Sequence, residues 1–390
     1  MQMSDQKKPM RNLTPQYSLI TALYWSNFAV LSNYAGVYLL GYGFSNTGIG
    51  LMIAIASLLA ALVQPFLGSY ADKPDSLSVK VILLILTGLF LASAILIPLS
   101  SDNSPFILST AYTLALMLMQ SMMPLINAFG PLSADAGYHV NFGLARGIGS
   151  LLYAITSLLI GLVSLRCGIN TIPFVSIVIY VLLGVSLLCF PFRKSFVSVS
   201  DASKIGFLKK YPRYLIILAA AVCLYSSHVL IANFTYQIIL TKGGDSVSLG
   251  IAYAIAAISE LPMMFCFSRL MKRISAGKCL VVSGFAFLVK CVSTMLVGNP
   301  AGFYFIQTLQ MLAYAGITVA SVYYIDGIME PEDAVKGQAF FTMTNMIGSV
   351  FASALGGWFL DKSGVTLLLS AASVFAGAGT ILMCYGVRKP

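Results

Sequence analysis

The chain has 390 residues, of which 58% are hydrophobic and only 9% charged, and its net charge is +10 with a mean hydropathy of +0.88. A water-soluble protein carries about a quarter of its residues as Asp, Glu, Lys or Arg. The charges here are too few to cover a water-facing surface, so the apolar excess faces lipid. The excess of Lys and Arg would suit nucleic acid if it formed one patch, but it is spread along the chain between apolar runs.

The polar start, Met1 to Gln16, holds Lys7, Lys8 and Arg11 and has no short apolar core followed by a small-residue cleavage site. No cleaved signal peptide is expected, and the first apolar stretch reads as a membrane span. Windows of about 20 apolar residues fall at 17–42, 46–70, 79–100, 104–129, 142–165, 170–192, 212–240, 246–269, 276–297, 301–324, 337–360 and 365–387. The expected fold is an all-α membrane protein of twelve transmembrane helices: a six-helix bundle over 1–192, a basic linker over 193–211 and a second six-helix bundle over 212–390. Two sets of six joined by a basic connection is a common transporter plan.

Charge placement orients the spans. Of the 23 basic residues, all but Arg146, Arg166, Lys242, Lys290 and Lys362 fall in segments that share one side of the membrane with both termini. The positive-inside rule makes that side the cytoplasm. The net positive charge is then mostly a topology signal, with membrane lipid headgroups as its partner and no nucleic acid.

Within the spans, Gly143 and Gly147 form a G-x-x-x-G pair, which predicts close helix packing, and Pro65, Pro124 and Pro262 are expected to kink their helices. The seven cysteines (Cys167, Cys189, Cys223, Cys266, Cys279, Cys291 and Cys384) have no C-x-x-C spacing and read as small apolar residues, neither a disulfide framework nor a metal site. No H-E-x-x-H, G-x-S-x-G or Walker-type loop is present, so no catalytic residue, metal or cofactor is expected.

Three charges remain at membrane depth: Arg146 in the fifth span, Glu260 in the eighth and Lys290 in the ninth. Each costs roughly 2.5–3.5 kcal/mol on insertion scales, so each is expected to face a wet cavity or a partner. One comes from the first half of the chain and two from the second, which predicts a polar site between halves. Glu260 is the candidate for coupling protons to solute, and Arg146 supplies a fork of donors for hydroxyl, carbonyl or carboxylate groups. Asn127, His228, Asn233, Gln307 and Gln310 add neutral polar groups, and Tyr153, two turns after Arg146 on one face, offers a ring for stacking. His228 is a second proton-carrier candidate. An internal ion pair holding the halves together is the structural alternative for the charges.

The run Gly68-Ser69-Tyr70-Ala71-Asp72-Lys73 resembles the G-x-x-x-D-[RK] loop of the major facilitator superfamily, although Pro74, Asp75 and Ser76 replace its following glycine and arginines. The resemblance implies a conformational role for Gly68, Asp72 and Lys73, with Asp72 docking on neighbouring helix ends in one state. SNTGIGLMIAIASLLAALVQPFLGSYADK, NFGLARGIGSLLY, SELPMMF and KGQAFF are similar to segments of the oligosaccharide and nucleoside proton symporters, the lactose permease group. That likeness covers nearly the whole chain. It implies that Arg146 and Glu260 contact the solute, that Tyr153 takes the place of a stacking tryptophan, and that Lys290 takes the place of an arginine serving proton release. The departures are as informative. Asn127 stands at a family acid, Gln310 at a histidine, Ala313 at a proton-carrying glutamate, His228 near an aspartate, and Asn345 or Met346 near a lysine.

The expected function is a secondary transporter of a small polar solute, sugar or nucleoside, working by alternating access with proton symport in a bacterial inner membrane. A monomer suffices. The alternatives are a downhill facilitator or an exporter on the same fold, and a non-transport membrane sensor.

Overall fold

The computed structural model describes residues 11–71, 73, 75–100, 104–192 and 210–387. Helices account for nearly all of it. In chain order they are α1 (Thr14–Asn27), α2 (Ala35–Gly41), α3 (Asn46–Ala71), α4 (Val79–Ser100), α5 (Pro105–Asp135), α6 (Phe142–Cys167) and α7 (Thr171–Cys189), then α8 (Pro212–Ala232), α9 (Thr235–Thr241), α10 (Ser246–Leu270), α11 (Ala276–Leu296), α12 (Pro300–Gln307), α13 (Tyr314–Ile328) and α14 (Pro331–Val387). Local sequence sets several starts. Asn141, Asp245 and Asn299 accept the backbone N–H of the third residue beyond them, and Pro212 and Pro300 occupy first-turn positions where no donor is needed.

By length and apolarity ten of the described helical stretches are able to cross a bilayer. One of them, α14, is interrupted at Ser363 (φ −147°) and Gly364 (φ 71°), where the sequence places the connection between its last two windows. The first window is also a broken rod. After α1 a π-helical turn over Phe28–Ser32 leads through Asn33 and Tyr34 into α2. The break recurs 200 residues later at Asn233 and Phe234, between α8 and α9. The sequence reading treats both rods as continuous. A third break, a 3₁₀ turn over Thr308–Met311, separates α12 from α13. Large apolar side chains such as Leu62, Leu89, Val178, Phe285 and Ile381 are exposed on the outside of the bundle, as lipid contact requires.

The predicted G-x-x-x-G contact is elsewhere. A Cβ on Gly143 or Gly147 would meet only ordinary contacts, Asn141 Oδ1 at 3.7 Å and the Phe265 ring at 4.0 Å, whereas one on Gly149 would come within 2.9 Å of Thr21 and 3.1 Å of Trp25 on α1. The motif gives spacing but not direction, and the face that meets α1 is the one bearing Gly149. Pro65, Pro124 and Pro262 all lie within continuous helices.

One end of the bundle, here the near end, gathers the outer parts of each half. Leu13 donates its N–H to His139 O, Lys80 caps the end of α7 through Leu188 O and Phe190 O, and Lys210 reaches Glu330 and Asp333 at 2.5 and 2.9 Å. The Lys210 ammonium, helped by the Tyr211 hydroxyl, holds the Asp333 carboxyl below the usual carboxylate range.

The opposite, far end is where the two halves of the chain meet. Here α3 packs on α14 and α6 on α10. A Cβ on Gly50 would collide with the carbonyl of Ser353, and one on Gly250 with the carbonyl of Ser157, so both crossings are backbone against backbone. Tyr34 bridges Ser157 O and Ser246 O at 2.8 and 3.0 Å, and Gln237 donates to Asn46 Oδ1 at 3.0 Å. Asp361 adds an N-cap in trans: its carboxylate accepts the N–H groups of Asn46 (3.1 Å) and Thr47 (2.7 Å) and the Asn46 amide (2.9 Å) at the start of α3. Removing an N-cap costs about 1 kcal/mol. Asp361→Ala is therefore expected to raise hydrogen exchange at the Asn46 and Thr47 amides several-fold, and unchanged exchange there would show that the seal does not depend on this carboxylate.

Candidate functional site

Between the halves lies a central cavity of about 540 Å³. Its lining passes from Asn33 and Asn233, at the breaks in the first and seventh rods, to Gln64, Ile325 and Gln338 toward the near end. The far end is sealed by the contacts above, so the cavity is approached from the near end.

The three charges at membrane depth all line it. Arg146, on α6, donates from Nη1 to Ser150 Oγ at 2.8 Å, and its guanidinium lies 4.1 Å from the ring centre of Trp25. The small side of Gly149, one turn along, lets α1 come close enough to place that ring. Lys290 on α11 is 4% exposed, and its ammonium donates to Gln310 Oε1 at 2.5 Å. The Gln310 amide in turn donates to Glu260 Oε1 at 3.1 Å. The break between α12 and α13 presents that amide between α11 and α10. The result is a cation–amide–carboxylate chain in which the two charges do not touch. Among the described residues no direct ion pair joins Arg146, Glu260 and Lys290.

Neutral groups complete the lining. The Tyr153 hydroxyl accepts the Asn33 amide at 2.6 Å, and Asn233 donates to Ser353 Oγ at 2.8 Å. The rings of His228 and Tyr314 lie 4.7 Å apart. Gln307 and Gln310 are buried and both reach the cavity. Asn127 does not reach it: it is half-buried farther along α5, and its backbone carbonyl lies 3.5 Å from the Tyr17 hydroxyl. The face of α5 at the cavity carries Gln120 and Met123 instead. Gly68 lies near the end of α3 with open space around it, and Lys73 follows in a turn; Asp72 lies outside the described residues.

Several lining residues went unnoticed in the sequence reading: Trp25, Asn33, Gln64, Gln120, Tyr253 and Tyr314. Gln64 and Gln120 carried the same signal as Gln310, an amide inside an apolar window, and they meet through Gln64 Nε2 and Gln120 O at 3.0 Å. The aromatic residues carried no such signal, since a ring costs nothing in lipid.

The sequence profile of the MFS_1-like family matches residues 16–371. The chain belongs to that family. It is a multi-pass membrane transporter for a small solute, and not an enzyme. Maltose permease of Geobacillus stearothermophilus is 23% identical over 334 residues, which cover 82% of this chain and 80% of that protein. Crystal structures of the nucleoside transporter NupG share the fold at 16% identity. One, of a point mutant, superposes with a TM-score of 0.83 over 97% of this chain and 100% of its own, and a second NupG structure with 0.79 over 96% and 98%.

Proposed function

We propose that the protein is a proton-coupled symporter of a sugar- or nucleoside-sized polar solute, working by alternating access from a bacterial inner membrane. The observation that carries this reading is the convergence of Arg146, Glu260 and Lys290, from opposite halves of the chain, on one cavity sealed at a single end. A site between halves that rock about it is the arrangement alternating access requires. A volume of about 540 Å³ suits a nucleoside or a small saccharide. The names of the relatives, a maltose permease and a nucleoside transporter, point to the same two classes.

In this reading Thr14–Gly41 counts as one crossing and α14 as two, giving twelve spans in two six-helix bundles joined by 193–211. Both termini are cytoplasmic, so the structure is the inward-open state. A single copy within membrane lipid is sufficient. Arg146 and Glu260 hold the solute, with Tyr153, Asn233, Gln307 and His228 around it. Glu260 takes the proton, and Lys290, linked through Gln310, stabilises the carboxylate when the proton leaves. Gly68, Asp72 and Lys73 act at the near end when it closes.

The test is uptake into proteoliposomes with the pH gradient as the only driving force. Radiolabelled nucleosides and malto-oligosaccharides, each beside a carboxylated counterpart, are the first solutes. Accumulation above equilibrium that collapses when a protonophore is added is the expected result. Uptake that only equilibrates would instead make the protein a facilitator, a reading favoured by Ala313 at the family's proton-carrying glutamate.

A further inference from the structure

We infer that the transported solute carries one negative charge, as an acidic sugar or other carboxylated polyol does, and is not a neutral sugar or nucleoside. The inference rests on the symport reading above and adds the chemical class of solute.

The argument is a charge balance over the cavity wall. Among the described residues two cationic side chains line it, Arg146 and Lys290, against one carboxylate, Glu260. The other titratable lining groups are His228, Tyr153, Tyr225, Tyr253 and Tyr314. The tyrosines are neutral. His228 packs between the rings of Phe287 and Tyr314, and protonating it would only add to the positive excess. With Glu260 ionised the wall therefore carries one uncompensated positive charge. Neither cation touches a carboxylate, but only Lys290 is linked to Glu260, through the Gln310 amide. Arg146 has one donor on a serine hydroxyl and one face on Trp25, with no carboxylate in contact. A guanidinium so placed is a ready bidentate site for a carboxylate.

The same balance holds through the transport cycle. The empty carrier with ionised Glu260 has a wall charge of one positive. Loaded with a monoanion and with Glu260 protonated, the wall and solute together again sum to one positive. One proton and one anion cross with no net charge, and neither reorientation carries extra charge through the low-dielectric core. A neutral solute with a proton would leave two uncompensated cations in the loaded cavity.

Three matched pairs test this with purified full-length protein: glucose and glucuronate, maltose and maltobionate, uridine and uridine-5′-carboxylate. Thermal shifts of wild type and Arg146→Gln are measured against each, since a ligand that binds only the native state raises the midpoint. The acid member of at least one pair is expected to bind about tenfold or more tightly than its neutral partner, the scale of a charge-assisted hydrogen bond, and Arg146→Gln is expected to remove the preference. Neutral members binding as well as the acids, or no acid binding at all, overturns the inference. Uptake with the membrane potential clamped by potassium and valinomycin decides the issue even if Arg146→Gln does not fold. Acid uptake driven by the pH gradient and indifferent to the potential is the expected result. Neutral-solute uptake driven by the pH gradient and enhanced by an inside-negative potential overturns the anion assignment while leaving proton symport in place. Acid uptake indifferent to the pH gradient supports the anion assignment and removes proton coupling.

Discussion

Glu260→Gln is expected to bring accumulation in proteoliposomes down to simple equilibration, a ratio of one across the membrane, while exchange of solute between the two faces continues. The substitution keeps the side chain's size and an oxygen able to accept from the Gln310 amide, now held at 3.1 Å. It removes the one carboxylate that the described residues place on the cavity wall. Without a group that binds and releases a proton, the pH gradient cannot drive the cycle, but the halves can still reorient around bound solute. The variant also leaves Arg146 and Lys290 uncompensated at all times. On the charge balance above, an acidic solute should bind this variant more tightly than wild type and leave it more slowly. Uphill accumulation that survives Glu260→Gln would rule the residue out as the coupling group and turn attention to His228, the histidine on that wall.

The parts legible in the sequence are those where lipid makes an error costly. Apolar windows coincide with the long apolar helices, and the break in α14 at Ser363 and Gly364 falls where two windows part. Arg146, Glu260 and Lys290 stood out because a charge in a bilayer demands a reason, and all three reach the cavity. The breaks at Asn33, Asn233 and Thr308–Met311 carry no proline, and hydropathy does not register them. Those breaks nonetheless bring Asn33, Asn233 and Gln310 to the cavity. Asn127 illustrates the converse. Its polarity was visible, but which face of α5 turns inward depends on packing, and Gln120 occupies that face. Asp361 lay at the edge of a window, where a carboxylate looks ordinary, and its partners at Asn46 and Thr47 are over 300 residues away in the chain.

The two glycine crossings at the far end turn the static seal into a second large effect. Gly50 meets the Ser353 carbonyl and Gly250 the Ser157 carbonyl, on opposite sides of the cavity and 200 residues apart in the chain. Both partners are main chain, which cannot rotate out of the way as a side chain would, so even one methylene forces the helices apart. Paired Gly50→Leu and Gly250→Leu substitutions leave each helix its own hydrogen bonds and put good helix formers in place of glycine. They act only on the state in which the far end is closed. The expected result is a folded carrier held open at the far end: uptake lost by about two orders of magnitude or more, as the several-kcal/mol cost of overpacking two sites implies, with solute binding retained. A single cysteine at Ser57→Cys, introduced on the cavity wall after the native cysteines are replaced, reports the state directly. In the closed-end structure it is shielded from the far side by the Gly50 crossing, and in the double variant it should react with an impermeant maleimide added to that side. A variant that is monodisperse and binds solute but shows no gain in labelling would mean that the crossings set packing alone. Full uptake in the double variant would mean that this seal is not one of the two gates of the cycle.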